Sequence, residues 1–250
     1  MVRMADIDEM MYRCGMEILH PGGMEKTDEM ARRCGVGRDK KVLDIGVGKG
    51  VTPCHLAEKY GCSVVGIDLS ERMLEEARGR ADRMGLSDRV SLGRGDAHNL
   101  PFADGTFDVV IIECVTTILD KRKAFSEIHR VLRPGGTVGD LEMIWRERPS
   151  KNAERDTFEV WEGFETMMLE GWRELLEETG FIDIETVDFS DTMQDIEKEM
   201  RRELGLKGML KFAGKLMMHG DLRRAWREYE RVFREHREYI GYGYFIGRKE

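Results

Sequence analysis

The sequence predicts an α/β fold around a doubly wound, mostly parallel sheet. Three observations carry that expectation. Short apolar runs alternate with amphipathic helical patterns, as βαβ units require. The glycine-rich stretch VLDIGVGKG at 42–50 follows the first apolar run directly, where a strand would hand over to a helix. The 250 residues, 41% hydrophobic and 35% charged, suffice for one well-buried domain over 1–250 and leave little room for a second.

Residues 1–40 read as an N-terminal helical cover, with HPGG (20–23) starting its second helix. Strands are expected at KVLDI (41–45), SVVGID (63–68), RVSLGRG (89–95), FDVVIIE (107–113) and TVGDLE (137–142). Ser70 has the chemistry of an N-cap for ERMLEEARGRADRMG, which ends at Gly85, and LDKRKAFSEIHRVL should stop at Pro134-Gly135-Gly136. After Glu142 the pattern changes. GWRELLEETG (171–180) reads as a helix, FIDIETVDF (181–189) as a strand and YIGYGYFIG (239–247) as the last strand, heading the terminal segment 239–250.

The variable region 143–238 contains a helical pattern at 191–238, so a helical insertion and not a tight hairpin should join the last two strands. Within it Trp226, Tyr229 and Phe233, spaced i, i+3, i+7, read as packing against the sheet. Lys207, Lys211 and Lys215 fall opposite Met209, Phe212, Ala213, Leu216 and Met217, and residues 201–238 hold eleven Lys/Arg against six Asp/Glu. Such a basic amphipathic helix suits a lid with a solvated charged face, a peripheral membrane contact or an acidic partner. Fourteen of the 17 methionines, Met10, Met11, Met167 and Met168 among them, lie in 1–34 and 160–218, which favours adaptable apolar surfaces there.

The net charge of −8 argues against a surface built for nucleic acid, because phosphate contacts need clustered Lys and Arg. No window approaches the ~20 apolar residues of a membrane span, and MVRMADIDEMMYRC has no apolar h-region. A cytoplasmic protein is expected. The five cysteines lack C-x-x-C spacing and His partners, so no metal site or disulfide framework is indicated.

A dinucleotide fingerprint places its third glycine five positions after the first, whereas the glycines here are Gly46, Gly48 and Gly50, with Val51 at that position. Asp44 is a fixed anion at the mouth of the turn. It would repel pyrophosphate and attract a ligand carrying an ammonium and a sulfonium. Asp68, twenty residues after Gly48, ends an apolar strand where a carboxylate can accept from ribose hydroxyls, a feature common to NAD and other adenosyl ligands. Asp96, in GRGDAHNLPF (93–102), can accept from an adenine amine.

In order and separation, VLDIGVGKG, VVGIDLS, GDAHNLPF, FDVVIIE and VLRPGG resemble a class I S-adenosylmethionine-dependent methyltransferase over residues 41–142. The resemblance implies a seven-stranded sheet whose last strand is antiparallel, and S-adenosylmethionine as cofactor. It implies that Asp44 orients the methionine amino group and that Gly46, Gly48 and Gly50 let the loop approach. Asp68, with Leu69 beside it, would hold the ribose, Asp96 and Ala97 the adenine, and Glu113 would line the methionine end. No metal is implied.

The acceptor half is less marked, because methyl transfer chiefly requires alignment and exclusion of water. IIECVTTI lacks the Asn/Asp-Pro-Pro-aromatic pattern of enzymes that methylate adenine or glutamine nitrogen, and no Pro-Cys nucleophile is present. A small organic methyl acceptor is expected, with Glu113 and Glu142 as acid/base candidates. Three alternatives stand beside it: a membrane-associated lipid or quinone methyltransferase, an arsenite methyltransferase-like enzyme suggested by Cys114, and a cofactor-binding protein without turnover. Cys114 otherwise reads as a buried strand cysteine, and His20, His98 and His129 as isolated surface or capping residues.

Overall fold

The computed structural model describes residues 14–17, 20–161, 164–192 and 196–250, so most of the first helix of the expected N-terminal cover, with Met10 and Met11, lies outside the described residues. Seven strands, β1 (Lys41–Ile45), β2 (Ser63–Asp68), β3 (Val90–Arg94), β4 (Phe107–Glu113), β5 (Leu132–Trp145), β6 (Phe181–Asp188) and β7 (Ile240–Lys249), form one sheet in the order 3-2-1-4-5-7-6. Every pairing is parallel except those of β7, which runs antiparallel between β5 and β6. The strand order reverses between β1 and β4. Open α/β sheets bind ligands at such a point, outside the carboxyl ends of the strands.

The helices are α1 (Gly23–Arg33), α2 (Val51–Tyr60), α3 (Glu71–Arg83), α4 (Lys121–Val131), α5 (Lys151–Val160), α6 (Leu169–Glu178), α7 (Ile196–Met218) and α8 (Gly220–Glu235). Strand alternation divides their packing. Val42, Val109, Ile111 and Leu141 join Met30 of α1 and Leu56 of α2 in one core, while Leu43, Val110, Ile112 and Val138 join Phe125 of α4 and Trp172 of α6 in the other. Helices on both faces explain why six of the seven residues of β4 are fully apolar or buried, a near-continuous run and not an alternating one. Burying each large side chain of this kind contributes about 1.5–3 kcal/mol.

Local chemistry sets the helix ends. Ser70 Oγ accepts from Met73 N (3.4 Å) and Asp120 from Lys123 N (3.2 Å), each satisfying a first-turn amide. The helix before Pro134-Gly135-Gly136 stops earlier than the motif suggests: α4 ends at Val131 and Leu132 already pairs with Phe107. Residues 133–136 then form an irregularity, with Gly135 at φ +74°, before Thr137 resumes opposite Val109. Helix α1 docks on β5 at Gly139, where a Cβ would stand 2.7 Å from Cys34 Sγ and 2.9 Å from Met30 Cγ.

The insertion between β6 and β7 is helical, as its pattern indicates, with α7 broken at Gly205 (φ 58°). Its aromatic stripe differs from the expectation of direct sheet packing. Trp226 lies edge-on to Phe212 and stacked on Tyr229, while Tyr229 and Phe233 both meet Trp161, so the stripe builds a separate inter-helix core and only Phe233 also reaches the sheet-side cluster. The expected division of α7 is also corrected. Phe212 is buried, but Ala213 is exposed and Met217 is 77% exposed, because α8 covers a narrower arc than the sequence pattern assigns.

Candidate active site

The loop after β1 hooks onto the end of β2. Gly46 N and Val47 N both donate to Ile67 O (2.8 and 3.1 Å), and Gly48 N donates to Asp68 Oδ2 (2.9 Å). Ser70 N donates to Asp68 Oδ1 (2.8 Å), so this one carboxylate ties the glycine loop to the start of α3 and keeps lone pairs for a ligand. Gly46 and Gly50 adopt φ of +80° and +76°. A Cβ at Gly46 would lie 2.4 Å from Val115 Cγ2, and one at Gly50 only 2.9 Å from the backbone of Ala77 in α3. Gly50 therefore lets α3 approach the loop closely, a packing reason that the spacing alone does not reveal. Leu69 is exposed just past Asp68.

Asp44, at the end of β1, is buried, and its Oδ2 has no hydrogen-bond partner among the described residues. Burial first, then the charges of Glu113 and Asp68, push its carboxyl well above the ordinary Asp range. Glu113, at the end of neighbouring β4, is on the same sheet face. Thr27 Oγ1 of α1 donates to its Oε1 (2.6 Å) and Thr52 Oγ1 of α2 to its Oε2 (2.8 Å), with His20 Nε2 3.6 Å away. Three residues that sequence reasoning left out thus frame Glu113. Thr52 follows the glycine loop closely enough to be found by position, but nothing local marks Thr27 or His20.

Asp96 and Ala97 lie on the turn after β3. Asp96 Oδ1 accepts from His98 N (2.9 Å) and pairs with His98 Nδ1 (2.8 Å), and the His98 amide bond is the main reason its carboxyl is held below the ordinary Asp range. His98 Nε2 accepts from Asp120 N (3.0 Å), so Nδ1 carries the proton and the histidine joins this turn to the start of α4. Cys114 is exposed in a left-handed conformation (φ 56°), not buried in a strand, because the chain turns sharply once β4 ends. His20 is likewise not isolated.

Glu142 lies elsewhere. By strand alternation it shares the opposite, α4-facing side of the sheet with Asp140, and it is buried. Its Oε1 accepts from Thr116 N (2.5 Å) and its Oε2 from Thr117 Oγ1 (3.1 Å), bracing the turn that follows β4. Burial pushes its carboxyl up to about 7 against those hydrogen bonds. Asp140 is pushed well above its ordinary range, by burial and then by Glu142. The structure brings Asp44, Asp68, Glu113 and the glycine loop together and leaves Glu142 out of that group.

Residues 42–136 match the family described as Methyltransferase domain. An uncharacterized protein of Haemophilus influenzae is 33% identical over 207 residues, covering 80% of this chain and 80% of its own length. The chain belongs to the class I S-adenosylmethionine-dependent methyltransferases. This methyltransferase is also 31% identical to phosphoethanolamine N-methyltransferase 1 of Arabidopsis thaliana over 190 residues, 75% of the chain but 38% of that protein, well under half its length. In fold it resembles the cyclase SpnF, with a TM-score of 0.80 at 23% identity over 97% of this chain and 93% of that one.

The residues present fit S-adenosylmethionine. A buried carboxylate oxygen lacking a donor, beside a second carboxylate, suits a ligand with a cationic end and would reject a phosphate. Among the described residues, no helix is long and apolar enough to cross a membrane.

Proposed function

We propose that this methyltransferase acts on a small organic molecule with a nucleophilic nitrogen or oxygen. The observation that carries the cofactor half is Asp44, buried with Oδ2 unpartnered next to Glu113. Bound S-adenosylmethionine supplies an electrophilic methyl group on a sulfonium. Asp44 holds its ammonium, Gly46 and Gly48 leave room for the methionine chain, and Asp68 takes the ribose hydroxyls with Leu69 alongside. Asp96 and Ala97 flank the adenine. Glu113, fixed by Thr27 and Thr52, supports the positive end of the ligand from β4. Glu142 acts through the 116–118 turn and touches neither partner.

Support for a small acceptor comes from the net charge of −8, which disfavours nucleic acid, and from the nitrogen-methylating relative named above. Incubation with methyl-labelled S-adenosylmethionine and fractionated cell extract tests the reading. Label should enter low-molecular-mass compounds. Tight cofactor binding with no label in any fraction would favour a binding protein without turnover.

A second reading, a methyltransferase working at a membrane surface on a lipid or quinone, draws on α7. Leu206, Leu210 and Met217 are 79%, 65% and 77% exposed along one stripe, and exposed Lys207 and Lys211 border it. An apolar stripe edged by lysines suits an anionic bilayer. Co-sedimentation with anionic vesicles at low ionic strength supports this reading, and its absence there discards it.

A further inference from the structure

We propose that His98 is a positioning residue for the cofactor: its ring fixes the Asp96 carboxylate so that Oδ2 is left to accept from the adenine amine, and the ring thereby sets the preference for adenine. This rests on the reading that Asp96 and Ala97 flank the adenine.

Two carboxylates near the ends of β2 and β3 are held in different ways. Asp68 takes one amide on each oxygen, Gly48 N on Oδ2 and Ser70 N on Oδ1. Asp96 takes both of its donors on a single oxygen. Its Oδ1 accepts from His98 N at 2.9 Å and from His98 Nδ1 at 2.8 Å, and its Oδ2 has no hydrogen-bond partner among the described residues. The Asp96 side chain is 49% exposed, so packing does not hold it. An aspartate carboxylate turns readily about its last torsion, and one amide on Oδ1 leaves that freedom largely intact. A second donor on the same oxygen removes it.

The ring can do this because its other end is anchored. Asp120 N is 3.0 Å from Nε2, and an amide can only donate, so Nε2 is bare and the ring proton sits on Nδ1, aimed at Asp96. Asp120 in turn caps α4 through Lys123 N, which ties the ring to the start of a helix. Closing the turn does not require the ring, because Asn99 N already donates to Asp96 O at 3.0 Å. The His98 amide chiefly, and the ring in addition, hold the Asp96 carboxyl below the ordinary Asp range, which keeps Oδ2 an acceptor.

The test uses the full chain, with S-adenosylhomocysteine and its 6-deamino analogue, which carries hydrogen in place of the adenine amine, as probes. Nitrogen-15 NMR of the imidazoles should show His98 protonated at Nδ1 and bare at Nε2, and the reverse tautomer overturns the proposal. By calorimetry the unaltered protein should bind S-adenosylhomocysteine at least about fivefold more tightly than the analogue. His98→Leu removes the ring donor and should cut that preference to below about twofold. His98→Asn, whose side-chain amide can donate from near the Nδ1 position, should hold the preference within about twofold of the unaltered ratio. If His98→Leu keeps the full preference, even while losing affinity for both probes alike, His98 only braces the turn and the positioning role is lost. A fall in His98→Asn as large as in His98→Leu assigns the effect to the Asp120 bond and also overturns the proposal. An unaltered protein that binds both probes equally removes adenine from Asp96, and the positioning role falls with that reading; the nitrogen spectrum stands independently of that outcome.

Discussion

Asp44 and Glu113 stand on one face of the sheet, Asp140 and Glu142 on the other, and all four lie near the carboxyl ends of central strands. Each pair has one member held by hydroxyls or amides and one with unpartnered oxygens: Thr27 and Thr52 hold Glu113, Thr116 and Thr117 hold Glu142, and Asp44 and Asp140 are left short. What surrounds them differs. A glycine loop borders the first pair, whereas the turn at 116–118 and the side chain of Lys121 lie over the second. Burial of acids at a strand edge does not make a site. The glycine loop beside the first pair, tied to Asp68, is what the second pair lacks.

The largest effect that would break this comparison is at Asp44. Asp44→Asn should weaken S-adenosylmethionine binding by about 1.5–3 kcal/mol, the cost of losing a charged hydrogen bond. Calorimetry that gave an unchanged affinity would remove the cationic end of the ligand from this face. Because the empty protein holds this carboxyl well above its ordinary range, binding a cation should also release a proton. Affinity then rises with pH, and heats measured in two buffers of different ionisation enthalpy report the released proton.

Asp68→Ala comes next, with a loss of about 1–3 kcal/mol in cofactor affinity. It also frees Gly48 N and Ser70 N, so the melting temperature of the empty protein should drop. On the opposite face the expected change is in stability alone. Glu142 has a folded-state carboxyl raised from 4.5 to about 7, so the folded state keeps its proton longer than the unfolded chain. Its contribution is present in full below pH 4.5 and is lost as pH rises through about 7. Glu142→Gln should flatten that part of the stability curve, a change of about 3 kcal/mol, in urea titrations across this window. Cofactor affinity should not move.

The smallest effect is expected at Asp140. Asp140→Asn replaces a buried carboxyl, pushed well above its ordinary range, with a neutral group of the same shape, so binding should change by less than about 0.5 kcal/mol. A loss comparable to that of Asp44→Asn would mean that both faces belong to the site.

The strand segments, the Ser70 cap, the glycine loop and the order Asp44, Asp68, Asp96, Glu113 were legible from residue type and spacing, whereas the Asp120 cap emerged only in the structure. Each legible feature depends on neighbours within a turn or a strand, and local propensity and hydrophobic period report on that range. The sheet face on which Glu142 lies needed the β4–β5 register. Residues 133–136 stand against the single residue 108 between the Phe107 and Val109 pairings, three more than a regular ladder holds, and are invisible to periodicity.

What the sequence by itself determined is the framework proposed to hold the cofactor, because a strand, a tight glycine turn and a terminal carboxylate are written in adjacent residues. Only the tertiary structure decided the rest: His20 against Glu113, Thr27 as the link between them, the aromatic stripe turned onto Trp161, and Met217 left in solvent. Those pairings join segments far apart in the chain. They are selected by how whole helices pack against the sheet and each other, a choice that no local pattern encodes.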